Sequence, residues 1–247
     1  MTDLSRRRRA GTRAEPIADG VYRIKLGFVS AYLIESDDGL MLVDCGEHRH
    51  GGQIVESIQS LGRLAGEIQQ ILVTHHHPDH TGSLAELARI TEAPVYVHPA
   101  DVPFVEGDRT WSGFNRDSGV GRLLGPLLMR FQPGRPTPTP VDHHLADGER
   151  LPIAGGVTVL HTPGHTPGHT SFLLPRDGGV LLAGDAAINV GGIRSTGHWL
   201  TITTSDHEAA DASFERLATL DFEIAAFGHG KPIRTGAAAQ LRRAATR

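Results

Sequence analysis

Hydrophobic and polar positions alternate with a period of two over Val21-Tyr22-Arg23-Ile24-Lys25-Leu26, which predicts a half-buried strand. Ala31-Tyr32-Leu33-Ile34-Glu35 predicts a second. After the turn signal Asp37-Asp38-Gly39, the run Leu40-Met41-Leu42-Val43-Asp44 is nearly all apolar, as expected of a strand buried on both faces. Apolar residues at Ile54, Ile58 and Leu61 then fall at helical spacing and predict a helix over 52–64. A strand over 68–74, a helix over 83–90 and a strand over 94–98 follow.

The pattern recurs in the second half. Val157-Thr158-Val159-Leu160-His161 predicts a strand, and another spans 171–174. The turn Asp177-Gly178-Gly179 then leads into Val180-Leu181-Leu182-Ala183-Gly184-Asp185. Each half thus shows a strand, an acidic-glycine turn, an apolar strand and a terminal aspartate. This weak internal symmetry predicts two similar βα halves facing each other. A helix over 206–220 with Ser205 or Asp206 as cap, a short strand Ile224-Ala225-Ala226-Phe227 and a terminal helix over 237–247 complete the chain.

Two stretches depart from this regularity. Residues 102–141 are dense in glycine and proline around one helical patch at 123–131, which reads as a connector and as part of a substrate-pocket wall. Residues 1–16 carry Arg6, Arg7, Arg8, Arg9 and Arg13 with no apolar run behind them. They are expected to form a disordered basic tail rather than an export signal, leaving 17–247 as a single domain.

Composition narrows the picture in three ways. The formal net charge of -4 gives no reason to expect a nucleic-acid partner. No apolar run is long enough to span a membrane. The single cysteine, Cys45, excludes an internal disulfide and a cysteine-based zinc knuckle, and fits a reducing, cytoplasmic setting. The unusual count is 15 histidines.

Several of them are clustered. Thr74-His75-His76-His77-Pro78-Asp79-His80-Thr81-Gly82 follows a predicted strand and offers His75, His77, Asp79 and His80 as metal ligands. On extended chain His75 and His77 share a side and His76 points away. Pro78 then turns the chain and re-aims Asp79 and His80. His165, Asp185 and His229 also follow apolar strands, and strand ends collect at one edge of a sheet. Imidazole and carboxylate are good zinc ligands. Seven such ligands exceed one tetrahedral site and suit two ions, roughly 3.5–4 Å apart, with a bridging carboxylate.

His-x-His-x-Asp-His at 75–80, Thr-Pro-Gly-His-Thr at 162–166, Gly-Asp at 184–185 and Gly-His-Gly at 228–230 occur in that order. With Leu-Val-Asp-x-Gly at 42–46 before them, the set resembles the metallo-β-lactamase-fold hydrolase superfamily, on its glyoxalase II-like and lactonase-like branch. The resemblance implies an αββα sandwich with the metals at one edge. It implies His75, His77 and His165 as first-metal ligands, Asp79, His80 and His229 as second-metal ligands, and Asp185 as the bridge. Asp44 and His169 are implied as supports behind the ligands.

The chemistry implied is hydrolysis of a small ester, lactone or thioester. A hydroxide bridging two zinc ions (or iron or manganese) attacks the carbonyl, and Asp79 relays a proton. The positive site favours an anionic small-molecule substrate. His198 and Trp199 are implied as pocket residues in the loop after Asp185. Two other readings stay open: a persulfide dioxygenase with a single iron, and a non-catalytic binding protein. The position of Asp185 sets the chain apart from β-lactamases with a cysteine ligand. Only about 15 residues follow Gly-His-Gly, too few for the C-terminal helical domain of glyoxalase II.

Overall fold

Strand pairing begins earlier than the hydrophobic pattern predicts. Ala14–Ala18 (β1) lies antiparallel to Val21–Leu26 (β2). The last residues of the expected basic tail, Ala14, Glu15 and Pro16, therefore belong to the sheet. They escaped the pattern because β1 carries Pro16 and a register shift between Pro16 and Ala18, both of which an edge strand tolerates. The structure is a computed structural model and describes residues 14–110, 135–199 and 202–246, apart from the side chains of His198 and Trp199. The rest of the tail and the helical patch at 123–131 lie outside the described residues.

The first sheet continues in spatial order through Val29–Ser36 (β3), Gly39–Val43 (β4), Ile68–Leu72 (β5), Val95–Val97 (β6) and His143–His144 (β7). The second sheet holds Arg150–Leu151 (β8), Val157–His161 (β9), Thr170–Leu174 (β10) and Val180–Leu182 (β11). The hairpin Ala187–Asn189 (β12) and Ile193–Ser195 (β13) stands apart from both, and Ile224–Ala226 (β14) closes the second sheet against β11. The predicted symmetry is present in the topology. β3 and β4 pair antiparallel and a helical crossover brings β5 parallel to β4. β10 and β11 pair antiparallel and a second crossover brings β14 parallel to β11.

Because successive strand residues face opposite ways, each apolar strand serves two cores. Ile24, Leu26, Leu40 and Leu42 point outward, against Ile54 and Ile58 of helix Gly51–Ser60 (α1) and Leu84 and Leu87 of a later helix, Leu84–Thr91. Val21, Met41 and Val43, on the same strands, point inward and meet Val159, Phe172, Leu174, Val180 and Leu182 of the second sheet. Leu181 and Ala183 face outward again, against Phe214, Leu217 and Leu241. Three cores between four layers make the αββα sandwich, and they explain why β4 and β11 carry almost no polar residue. No helix among the described residues is long and apolar enough to cross a membrane.

Helix α1 stops at Ser60, short of the expected 64. Gly62 adopts φ 74°, its N–H donates to Gln59 O, and Arg63 N–H donates to Ile58 O, so a left-handed glycine turns off the helix and satisfies its last carbonyls. Pro78–Thr81 (α2), inside the expected metal loop, is a single helical turn started by proline at its first position. Leu84–Thr91 (α3) and Val102–Val105 (α4) follow. Beyond Asp185 the chain forms β12, β13 and the helical turn Thr196–Trp199 (α5) rather than the expected loop. His207–Ala218 (α6) is capped as predicted, the Asp206 carboxylate accepting from Ala209 N–H at 3.0 Å. Ala237–Ala245 (α7) ends the described chain.

Candidate metal centre

Strands β9, β11 and β14 run in one direction, opposed by β10. Their carboxyl ends therefore meet at one edge of the second sheet, and the parallel β4 and β5 end across from them. His165, Asp185 and His229 come from the first group, and Asp44, His75, His77, Asp79 and His80 from the second. The structure brings all seven expected ligands together. Their ligating atoms fall into three groups with separations of at most 4.8 Å: His75, His77 and His165; Asp79, His80 and His229; and His75, His80 and Asp185.

Asp185 lies between the outer two groups. Its Oδ2 is 3.5 Å from His165 Nε2 and 3.2 Å from His229 Nε2, and its Oδ1 is 3.7 Å from His80 Nε2. Asp79 Oδ2 is 3.2 Å from His229 Nε2 and 3.7 Å from His80 Nε2. His75 Nε2 faces His77 Nδ1 at 3.1 Å. His80 Nε2, His165 Nε2 and Asp185 Oδ1 are buried without a hydrogen-bond partner among the described residues. Buried polar atoms are normally paired, and orphans turned toward one point are what a ligand-holding site contains.

The backs of the rings decide what their fronts offer. Asp44 Oδ2 accepts from His80 Nδ1 at 2.7 Å. The Phe28 carbonyl accepts from His229 Nδ1 at 3.1 Å. Thr74 Oγ1 donates to Asp44 Oδ2, so at 3.0 Å it accepts from His75 Nδ1. Thr204 Oγ1 donates to the Thr196 carbonyl, so at 3.2 Å it accepts from His165 Nδ1. In all four rings Nδ1 carries a proton that is held from behind, and Nε2 is the nitrogen turned to the centre. Partners of this kind orient metal-binding imidazoles.

Electrostatics divide the site. Burial, together with the neighbouring His80, His77, His165 and His169 rings, holds His75 well below the usual imidazole range. Burial and the His165 ring do the same to His77, and burial takes His165 down to about 4 against the pull of Asp185. These rings are neutral, as ligands must be. On the other side burial is outweighed. Asp44, Asp185 and Asp79 raise His80 to about 9, and Asp185 and Asp79 hold His229 well above its ordinary value. Asp185 is itself held well below the carboxylate range, despite burial, by His229, His80 and His165. Buried carboxylates thus draw positive charge into this half, and a divalent cation is the charge that the donor set fits.

The glycines fit the same account. A Cβ at Gly228 would run into Asp185 Oδ1 and lie 2.8 Å from His80 Cε1. Gly184 adopts φ 53° and lets His169 approach Asp185. There His169 Nε2 accepts from Asp185 N–H at 2.8 Å, and His169 Nδ1 contacts Thr162 Oγ1 at 2.8 Å. Both of its ring nitrogens are committed to holding the strand end, so it stands behind the ligands. Asp44, with φ 63°, accepts Thr74 N–H at 2.8 Å as well and fastens the two strand ends together.

His76 points away from the centre. Its ring stacks on Phe104 with centroids 4.0 Å apart, and its Nδ1 lies 3.0 Å from Asp101 Oδ2. Asp101 had no signal in the sequence. Fully buried, it accepts from His76 N–H, Thr166 Oγ1 and Gly168 N–H and ties the His75–His80 segment to the His165 loop. Thr204 and the Phe28 carbonyl were equally invisible, because hydroxyls and backbone oxygens carry no spacing rule. His198 and Trp199 sit on α5, and their side chains lie outside the described residues. Cys45 is fully buried, and burial beside Asp44 pushes its thiol far above the range of a nucleophile.

A family model described as the metallo-beta-lactamase superfamily matches residues 24–229. A Bacillus subtilis (strain 168) protein named "Probable metallo-hydrolase YflN" is 31% identical over 236 residues, covering 87% of this chain and 86% of that one. A solved structure of a metallo-beta-lactamase family protein from Thermus thermophilus superposes with a TM-score of 0.68 at 28% identity, covering 94% of this chain and 78% of that chain. A shorter match, 37% identical over 75 residues, is to a hydroxyacylglutathione hydrolase of Albidiferax ferrireducens (strain ATCC BAA-621 / DSM 15236 / T118), covering 30% of this chain and 27% of that enzyme.

Proposed function

The chain belongs to the metallo-beta-lactamase superfamily, and within it we propose that this protein is a dinuclear zinc hydrolase of small esters, lactones or thioesters. One observation carries this reading: four buried imidazoles from both halves are each hydrogen-bonded at Nδ1, so that their Nε2 atoms are turned to the centre around Asp185. His75, His77 and His165 would hold one cation, and Asp79, His80 and His229 the other, with Asp185 reaching both. When bound, two such cations supply Lewis-acid polarisation of an acyl oxygen and acidify water, to a pKa of about 7 for zinc.

The chain's own residues supply the rest. Burial keeps the His75, His77 and His165 rings dry and strengthens each charge interaction there. Asp79 has 30% of its side chain exposed, against 2% for Asp185. It is the carboxylate that an entering substrate can reach, and the group suited to pass a proton to the departing alcohol or thiol. The match to a hydroxyacylglutathione hydrolase supports an acyl compound as substrate. The complete second cluster, Asp79, His80 and His229, favours two ions over the single iron of a dioxygenase.

The test is metal content followed by turnover. The zinc-loaded chain is expected to hold two ions and to hydrolyse at least one member of an aryl ester, lactone and thioester panel. His77→Ala should lower the stoichiometry and abolish turnover. One iron per chain with oxygen uptake on a persulfide would overturn the hydrolase, and failure to bind any metal would turn the site into a binding pocket.

A further inference from the structure

The Gly228-His229-Gly230 segment is clasped from two sides. Val29, just past the tip of the β2–β3 hairpin, bridges to His229, and Ser30 N–H donates to the Gly228 carbonyl at 2.9 Å. Asn189, at the start of the β12–β13 tip, bridges to Gly230. Between the two tips lies an open cavity of about 540 Å³, floored by Gly230. It abuts the metal centre through Phe28, whose ring centroid is 4.9 Å from that of His229 and whose carbonyl holds His229 Nδ1.

Among the described residues, the walls of this cavity carry Arg23, Lys25 and Lys231 and no carboxylate. That is unusual on a chain whose formal net charge is -4. A second surface cavity, around Arg63 and Arg176, is lined by Asp19, Glu35, Asp37 and Asp177 as well. The three cations differ in what they already do. Arg23 is buried: its Nε donates to Ser30 Oγ, its NH2 group donates to the Gly230 carbonyl, and Glu15 lies 3.9 Å away. It builds the wall. Lys25, two residues along the same strand face, and Lys231, two residues after His229, are exposed and have no charged partner among the described residues. Lysine suits such a place, being a hydrated point charge on a flexible stem.

We propose that this cavity is the substrate's anion subsite: Lys25 and Lys231 receive a negatively charged group carried by the acyl compound at the end remote from the bond to be cleaved. The inference rests on the hydrolase reading and gives its substrate class, an acyl compound bearing a carboxylate or a comparable anionic group. The apolar face of the exposed Phe28 ring then lies along the chain linking the charge to the acyl carbon. Two partly hydrated charge contacts of this kind are worth about tenfold in binding and are weakened by salt.

The zinc-loaded chain and its K25A/K231A variant would be assayed on two matched esters, the aryl hemiester of glutaric acid and the aryl ester of pentanoic acid. Both proteins would also be titrated with glutarate by calorimetry. The wild type should prefer the charged ester, and the ratio of the two kcat/KM values should fall about tenfold in the variant, through KM. K25Q/K231Q, which keeps side-chain length, should behave the same way. A preference or a glutarate affinity that survives the substitutions overturns the subsite, as does a wild type that shows neither. If neither ester is turned over, the reaction assignment fails for esters and the calorimetry decides the subsite alone: glutarate bound by the wild type and lost in the variants supports it, and no binding overturns it.

Discussion

The Asp44 carboxylate stands 2.7 Å from His80 Nδ1 while its other oxygen accepts Thr74 N–H at 2.8 Å, so one side chain sets both the path of the metal segment and the tautomer of a ring in it. A carboxylate can only accept, which obliges His80 to keep a proton on Nδ1 and leaves Nε2 as the nitrogen that a metal can take. Asp44→Asn keeps the shape and reverses this logic. With its oxygen still on Thr74 N–H, the amide group faces His80 and moves the proton to Nε2. Metal affinity is expected to fall about 10–100-fold, the usual effect of losing such a partner. Competition with a chromophoric chelator measures it, and circular dichroism checks that the fold is retained. Unchanged affinity would mean that Asp44 does not orient the ring.

Tyr32 joins the two sheets immediately before the Gly228-His229-Gly230 segment. Its hydroxyl donates to the Phe227 carbonyl at 2.6 Å and accepts from Phe227 N–H at 3.1 Å, and burial pushes the phenol up to about 12. Tyr32→Phe leaves both backbone groups of a fully buried residue unpaired. The expected loss of stability is about 1–3 kcal/mol, read from urea denaturation. A loss indistinguishable from zero would show that the hydroxyl is dispensable.

A pH dependence follows from Asp147, remote from the metals. Burial opposes its charge, yet the His161 N–H at 2.8 Å and Arg216 at 3.0 Å hold its carboxyl below the ordinary range. A carboxyl whose pKa is lower in the folded chain adds stability above the unfolded value, about 4, and loses it as pH falls through the folded value. The melting-temperature gap between wild type and Asp147→Asn should therefore be widest above pH about 5 and close below pH about 4. Half of the side chain is exposed, so salt should narrow the part owed to Arg216. A gap that widens on acidification would reverse the assignment.

The sandwich and the identity of the converging histidines and aspartates were legible in the chain, because both depend on local rules that survive folding. Alternation placed Leu40 and Leu42 on one face and Met41 and Val43 on the other, and the fold uses both faces as cores. Strand-end chemistry named His75, His77, Asp79, His80, His165, Asp185 and His229, and strand direction brought them to one edge. What holds those ligands emerges only on folding. Asp101 links segments 65 residues apart by its bond to Thr166, Thr204 reaches His165 across 39, and Tyr32 reaches Phe227 across 195. A bond between distant positions leaves no period or spacing in the chain. The same limit applies to the cavity at Lys25 and Lys231. Each lysine is an ordinary surface residue in sequence, and the two come to line one cavity only because two hairpin tips close on the segment that carries His229.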